Sequence, residues 1–377
     1  MKTAERNATR HSIRMLGIAL LALGVRSSQA LGSPGTQQQN NLQTLKTDHF
    51  AIRYDSSDET IRPLAIEMEK TYDAVARFCV ANKLRSILQG TRLDVIVFEH
   101  PEAFKQHLAV VGVNQDSVAG LYDQRSNVAA FLNVSKNPDI RGIEERIVLL
   151  QDQLQRGQAE PRENQQDRPH ITPTAQDIHS LRAARDELIL VFNRLVIRHE
   201  TAHQVLFNFG VPQRGAPTPG WVTEGLACQF ETPHSDSGQV PGENNHARLA
   251  DFREALRVTP ETQTVDEATI EHAITTGRLL SLPDLIVDRA AFESAGSKAP
   301  FRYAQAWALV HYLMRTRPED FARYLRQLSE RKVGETIDPR REWTAFTSIF
   351  DEPDSNFQQS WIEYILRVQL HPVPPKR

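Results

Sequence analysis

Cysteine is almost missing from this chain: Cys79 and Cys228 are the only two in 377 residues. That excludes a disulfide-stapled framework, and leaves either one bridge or two buried thiols. A collagen-like composition and an internal repeat are also lacking, so fibrous and solenoid architectures drop out. There is no basic stripe, and the formal charge is −3. Nucleic acid is therefore not an expected partner. The apolar run at residues 15–25 (MLGIALLALGV) is shorter than the roughly 20 residues that span a bilayer.

That short run does have a reading. Lys2, Arg6, Arg10 and Arg14 precede it, and Ser28-Gln29-Ala30 offers small residues at the positions a signal peptidase reads. Residues 1–30 are expected to be a cleaved export signal, with the mature protein periplasmic, in the cell envelope or extracellular. No cysteine near the cut provides a lipid anchor. Cleavage removes five basic residues and Glu5, moving the formal charge to about −7.

Residues 31–46 read as a flexible, glutamine-rich leader. Alternation at Phe50, Ile52 and Tyr54 predicts a strand, and 93–98 (LDVIVF) predicts a second. Between them, Leu64, Met68, Tyr72, Val75 and Phe78 recur at helical spacing. Pro101 opens a predicted helix, and the stretches 118–122 and 128–134 flank a hairpin turn. The fold class expected is α+β: a small α/β subdomain at 47–135 followed by a mainly helical domain at 186–370. Residues 136–185 read as a helical insertion and loop, whose stretch 157–173 is a solvated loop or a lid. A helix from about Asp186 to Phe209 ends where Gly210 can adopt the left-handed cap and Pro212 stops continuation. Its apolar stretch 188–192 is expected in the interior.

That helix carries His199-Glu200-Thr201-Ala202-His203. Residues four apart share a helical face, so the two histidines can hold one metal ion with Glu200 beside it. The bland alternative is a buried helix whose histidines are hydrogen-bonded core residues. Glu224, in Trp221-Val222-Thr223-Glu224-Gly225-Leu226-Ala227, shifts the balance, because catalytic zinc commonly takes three protein ligands and keeps a position for water. The glycines and prolines between residues 210 and 220 make a reversing connection, and Gly225 permits close helix approach. His179, His234 and His246 lack ligand spacing and read as surface or structural residues.

The pairing of HExxH with Glu224 in its Trp-x-x-Glu-Gly-x-Ala setting resembles the gluzincin zinc peptidases, whose third ligand is a Glu on a second helix. Within the peptidase MA-like superfamily, the overall look is closest to poorly characterised bacterial domains placed beside these enzymes. Leu206 and Phe209 stand where metzincins have Gly and a third His. Cys228 stands where the thermolysin-like branch has an Asp, which leaves the partner orienting a zinc histidine unidentified. The resemblance implies one Zn2+ held by His199, His203 and Glu224, Glu200 as general base, and Tyr303 as a donor to the developing oxyanion. It implies an exported metallohydrolase cleaving peptide bonds in a peptide or protein substrate, with no stable membrane span. The Gly-x-Met-Glu-Asn amine-binding motif of the aminopeptidase branch is absent, so endopeptidase action or another amide substrate stays open. A substrate strand is expected to pair near residues 128–132. The competing class is a non-catalytic envelope binding or scaffolding protein that retains the fold.

Overall fold

A computed structural model describes residues 42–84, 90–113, 118–136, 138–159, 174–232, 244–293, 296–336, 338–353 and 356–368. The expected export signal, most of the leader, residues 160–173 of the insertion, and His234 lie outside them. The chain is α+β: a five-stranded sheet near the N-terminus, then a mainly helical region. The strands are β1 (Gln43–Lys46), β2 (Phe50–Tyr54), β3 (Leu93–Phe98), β4 (Gly120–Asp123) and β5 (Val128–Leu132). Their order is β1-β2-β3-β5-β4, with β2, β3 and β5 parallel and the two outer strands antiparallel.

Three differences from the sequence reading stand out. β1 occupies the last residues of the expected leader; an exposed edge strand carries no apolar alternation to announce it. β5 is internal, between β3 and β4, so the edge expected at 128–132 is instead β4. The third concerns the metal helix, described below.

The first helices are α1 (Asp58–Ala81), α2 (Pro101–Val110), α3 (Pro138–Ala159) and α4 (Ala175–Asn208). Strand register puts Phe50, Ile52, Tyr54, Leu93, Val95, Val97, Ala129, Phe131, Gly120 and Tyr122 on one face of the sheet. α4 crosses that face, with Tyr122 against Phe207 at 5.4 Å between ring centroids. α2 takes the other face through Phe104 on Phe98. The sheet thus serves as a platform beneath the helix that carries both histidines.

α4 begins eleven residues earlier than Asp186. Thr174 caps it, its hydroxyl accepting from the Asp177 amide while the Asp177 carboxylate accepts from the Thr174 amide. Its first half pairs with α3 outside the main core, so Leu190 and Val191 are 37% and 50% exposed rather than interior. Only from Val196 onward is every residue of α4 buried. Gly210 then takes φ of +71°, the left-handed conformation expected of it.

The remaining helices are α5 (Gly220–Gln229), α6 (His246–Leu256), α7 (Glu267–Thr275), α8 (Leu282–Val287), α9 (Ala290–Glu293), α10 (Ala299–Thr316), α11 (Pro318–Ser329), α12 (Pro339–Phe350) and α13 (Phe357–Leu366). α10 is the central one, packed against α5, α6, α11 and α13. Trp221 opens α5 by stacking on Tyr324 of α11, centroids 5.7 Å apart, which anchors the helix that presents Glu224. One apolar core runs through both sheet and helices, and both cysteines lie in it unpaired.

Candidate metal centre

His199 and His203 lie one turn apart on the buried half of α4, and the loop at 210–219 returns the chain so that α5 faces them. The Nε2 atoms of His199 and His203 are 3.0 Å apart. Glu224 Oε2 stands 3.3 Å from the first and 3.4 Å from the second. Donor bonds of about 2.0–2.1 Å at tetrahedral angles separate two ligand atoms by about 3.3–3.4 Å. The triangle therefore has close to the dimensions of one face of a zinc tetrahedron. These three residues can hold a metal ion.

The partner of His199 is a residue the sequence reading missed. Glu231 lies two residues beyond α5 and puts its Oε1 2.9 Å from His199 Nδ1. A carboxylate there requires the proton on Nδ1, which leaves the Nε2 lone pair directed at the triangle. Glu231 is in turn held by α6. Arg248 donates from Nη2 to Oε1 at 2.6 Å and from Nε to Oε2 at 2.9 Å, while Asn245 Nδ2 reaches Oε2 at 2.7 Å. Arg198, paired with Glu67 of α1 at 2.7 Å, donates to the Glu231 carbonyl. Burial opposes ionisation of Glu231, but Arg248 and His199 outweigh it and hold the carboxyl far below the ordinary glutamate range.

Those contacts decide between two overlapping groups. His199, Cys228 and Glu231 also cluster closely enough to hold an ion. However, each Glu231 oxygen already accepts two hydrogen bonds, which fills the capacity of the carboxylate. The Cys228 thiol is pushed up to about 11 by burial, with the charge of Glu231 adding to it. Glu231 is thus committed to orienting. The group containing His203 and Glu224 is the better site.

Glu200 is placed differently from the other acids. It is fully buried, and neither carboxylate oxygen has a hydrogen-bond partner among the described residues. Burial raises its pKa and Glu224 adds to the rise, against the two histidines and the nearby Tyr122 amide. An unpartnered buried carboxylate costs stability, so a position kept this way suits a group that exchanges a proton. β4 lies directly on it: a Cβ built at Gly120 would stand 2.9 Å from Glu200 Cγ and 2.5 Å from Val196. Glycine is what lets the outer strand reach Glu200.

Tyr303, near the start of α10, is buried and packs edge-on to His199, ring centroids 5.9 Å apart. The structure thus gathers all five residues singled out in the sequence. His179 and His246 are exposed.

Gly225 acts as expected for a close helix crossing. A Cβ there would lie 2.6 Å from the Ala306 carbonyl oxygen and 2.5 Å from Val310 of α10. Backbone cannot yield as a side chain does, so α5 would have to move and carry Glu224 with it. Gly225→Ala is expected to lower stability by at least about 1–3 kcal/mol, read from chemical denaturation of the zinc-free protein. Zinc affinity falls with it; wild-type values of both would contradict the tight packing.

Glu231 lies seven residues after Glu224 but beyond the end of the helix, so helical spacing does not mark it. Asn245 and Arg248 carried no such signal either. Residues 194–334, less than half of the chain, match the model of a family described as protein of unknown function, DUF1570. No curated protein matches the chain. The matched stretch holds all of the cluster: His199, Glu200, His203, Glu224, Glu231, Arg248 and Tyr303.

Proposed function

We propose that the protein is an exported, zinc-dependent hydrolase of peptide bonds, of the gluzincin type. The observation that carries this reading is the buried triangle of His199, His203 and Glu224 beside a carboxylate, Glu200, that has no side-chain hydrogen-bond partner among the described residues. Two acids of one site are thereby divided in role. Glu224 has its pKa lowered, the two histidines outweighing burial, and offers a charged oxygen; Glu200 has its pKa raised and is suited to take up a proton.

When bound, the ion supplies Lewis acidity and a water made acidic near neutral pH. Glu200 accepts the proton from the attacking water and delivers it to the leaving amine. Glu231 keeps the His199 proton on Nδ1, and Tyr303 borders the reacting carbonyl as a hydrogen-bond donor. The outer strand β4, pressed onto Glu200 at Gly120, is the sheet edge nearest the site and offers backbone pairing to an extended substrate. A protein that only bound a partner through a structural ion would have no need of an unpartnered carboxylate there.

Metal analysis of purified protein and of His203→Ala tests the site. Wild type is expected to hold one zinc ion per chain and the variant to lose most of it. The test of function is cleavage of a diverse peptide mixture before chelation, after it, and after zinc is restored. Protein without zinc, or cleavage indifferent to chelation, overturns the proposal.

A further inference from the structure

Arg248 belongs to neither sequence motif, yet it touches both sides of the cluster. Its guanidinium makes two parallel contacts with Glu231, at 2.6 and 2.9 Å, and its Cζ lies 5.3 Å from the centroid of the Tyr303 ring. Tyr303 in turn stands perpendicular to the His199 ring. One planar cation therefore borders the acid that sets His199 and the aromatic ring packed against it.

The backbone around Arg248 is fixed as well. Asn245 caps α6, its Oδ1 accepting from the Arg248 amide at 3.1 Å. The Nδ2 of the same side chain donates to Glu231 Oε2 and to the Cys228 carbonyl. The start of α6 is thus tied to the end of α5, and the third residue of α6 is aimed inward. Asp251 Oδ2, 3.7 Å from Nη1, is the other acid beside the guanidinium.

We infer that Arg248 is a positioning residue of the metal centre: its rigid fork fixes the Glu231 carboxylate that holds His199, while its Cζ lies over the Tyr303 ring. The inference rests on the zinc reading above. Arginine suits the task because a planar fork orients a carboxylate bidentately and stacks on an aromatic ring, which an ammonium does not do. Without the fork, Glu231 is free to rotate about its last side-chain bonds, and the His199 proton is no longer confined to Nδ1.

The experiment measures zinc affinity by chelator competition on the full chain: wild type, Arg248→Met, Arg248→Lys, Glu231→Gln and the Met/Gln double variant. Imidazole 15N spectra of the same proteins report the His199 tautomer. Losing a partner that orients a ligand weakens metal binding by about 10–100-fold, and that is expected for Arg248→Met. In the Glu231→Gln background the same change should add less than about threefold, because it acts through Glu231. The His199 Nδ1–H signal should be lost or averaged in Arg248→Met, a change that loosened packing alone would not produce. Arg248→Lys keeps the charge without the fork, and it decides the matter if the methionine variant does not fold. Lysine at wild-type affinity with an unchanged imidazole spectrum overturns the inference, as does a full loss from Arg248→Met in the Glu231→Gln background. Wild type that binds no zinc removes the underlying reading instead, and this one with it.

Discussion

Glu200→Gln is expected to lower peptide hydrolysis by about 100- to 10,000-fold, the range a positioned general base contributes, while zinc content stays at the wild-type level. The substitution is nearly isosteric, so the packing of β4 against Glu200 at Gly120 is preserved. What disappears is a basic oxygen beside His199, His203 and Glu224. The stability of the variant should move the other way. Glu200 is buried without hydrogen-bond partners among the described residues, and Glu224 is a second buried acid close by. Removing that charge relieves a desolvated carboxylate, so the zinc-free variant should be no less stable than wild type. The check is kcat/KM on one peptide selected from the mixture, together with metal analysis and a denaturation curve. Unchanged hydrolysis would remove Glu200 from the mechanism. Lost zinc would show instead that the residue helps to hold the ion.

The part of this centre that sequence could reveal is the part built on one regular element at a time. His199 and His203 are legible because four residues make one turn, and Glu224 because it sits in a helix start set off by prolines and glycines. Gly225 was readable for a similar reason: beside a ligand, a missing side chain implies a close neighbour, and the neighbour is the Ala306 carbonyl. The α+β class followed from period-two strands ahead of period-three-to-four helices. Sheet order was another matter. β4 and β5 were recognisable as a hairpin, but which of them lay outside depended on β3 pairing with β5, a contact made 34 residues apart. The stretch 188–192 was misplaced because apolarity all round a helix was read as burial. In the structure Leu190 and Val191 are exposed while Ile189 and Phe192 pack half-buried against the core, and full burial begins at Val196. Arg248 was beyond reach, since nothing local marks an arginine that will meet a glutamate 17 residues away.

Removing that glutamate is expected to be the most damaging single change to stability. Glu231→Ala should destabilise the zinc-free protein by about 3–5 kcal/mol, the usual result of deleting one partner of a buried ion pair. Four donor contacts end on this carboxylate, and Arg248 would be left buried with Asp251, at 3.7 Å, as its remaining ion-pair partner among the described residues. Deleting the charge at both ends should cost less: Arg248→Met combined with Glu231→Gln leaves neither member of that pair as an unpaired buried ion, and so should be more stable than Glu231→Ala. Acid has a defined effect on the comparison. Glu231 is held well below the ordinary glutamate pKa in the folded protein, chiefly because Arg248 and His199 overcome the cost of burial. Its contribution is therefore complete above the unfolded value and is lost as pH falls through the folded one. The difference between wild type and Glu231→Ala should narrow as pH falls below about 4. Urea denaturation of both proteins at a series of pH values measures that difference directly. A gap that is small at pH 7, or one that widens as pH falls below about 4, would mean that Glu231 is not the ionised hub joining α4, α5 and α6. The orientation of His199 would then have to come from elsewhere in the core.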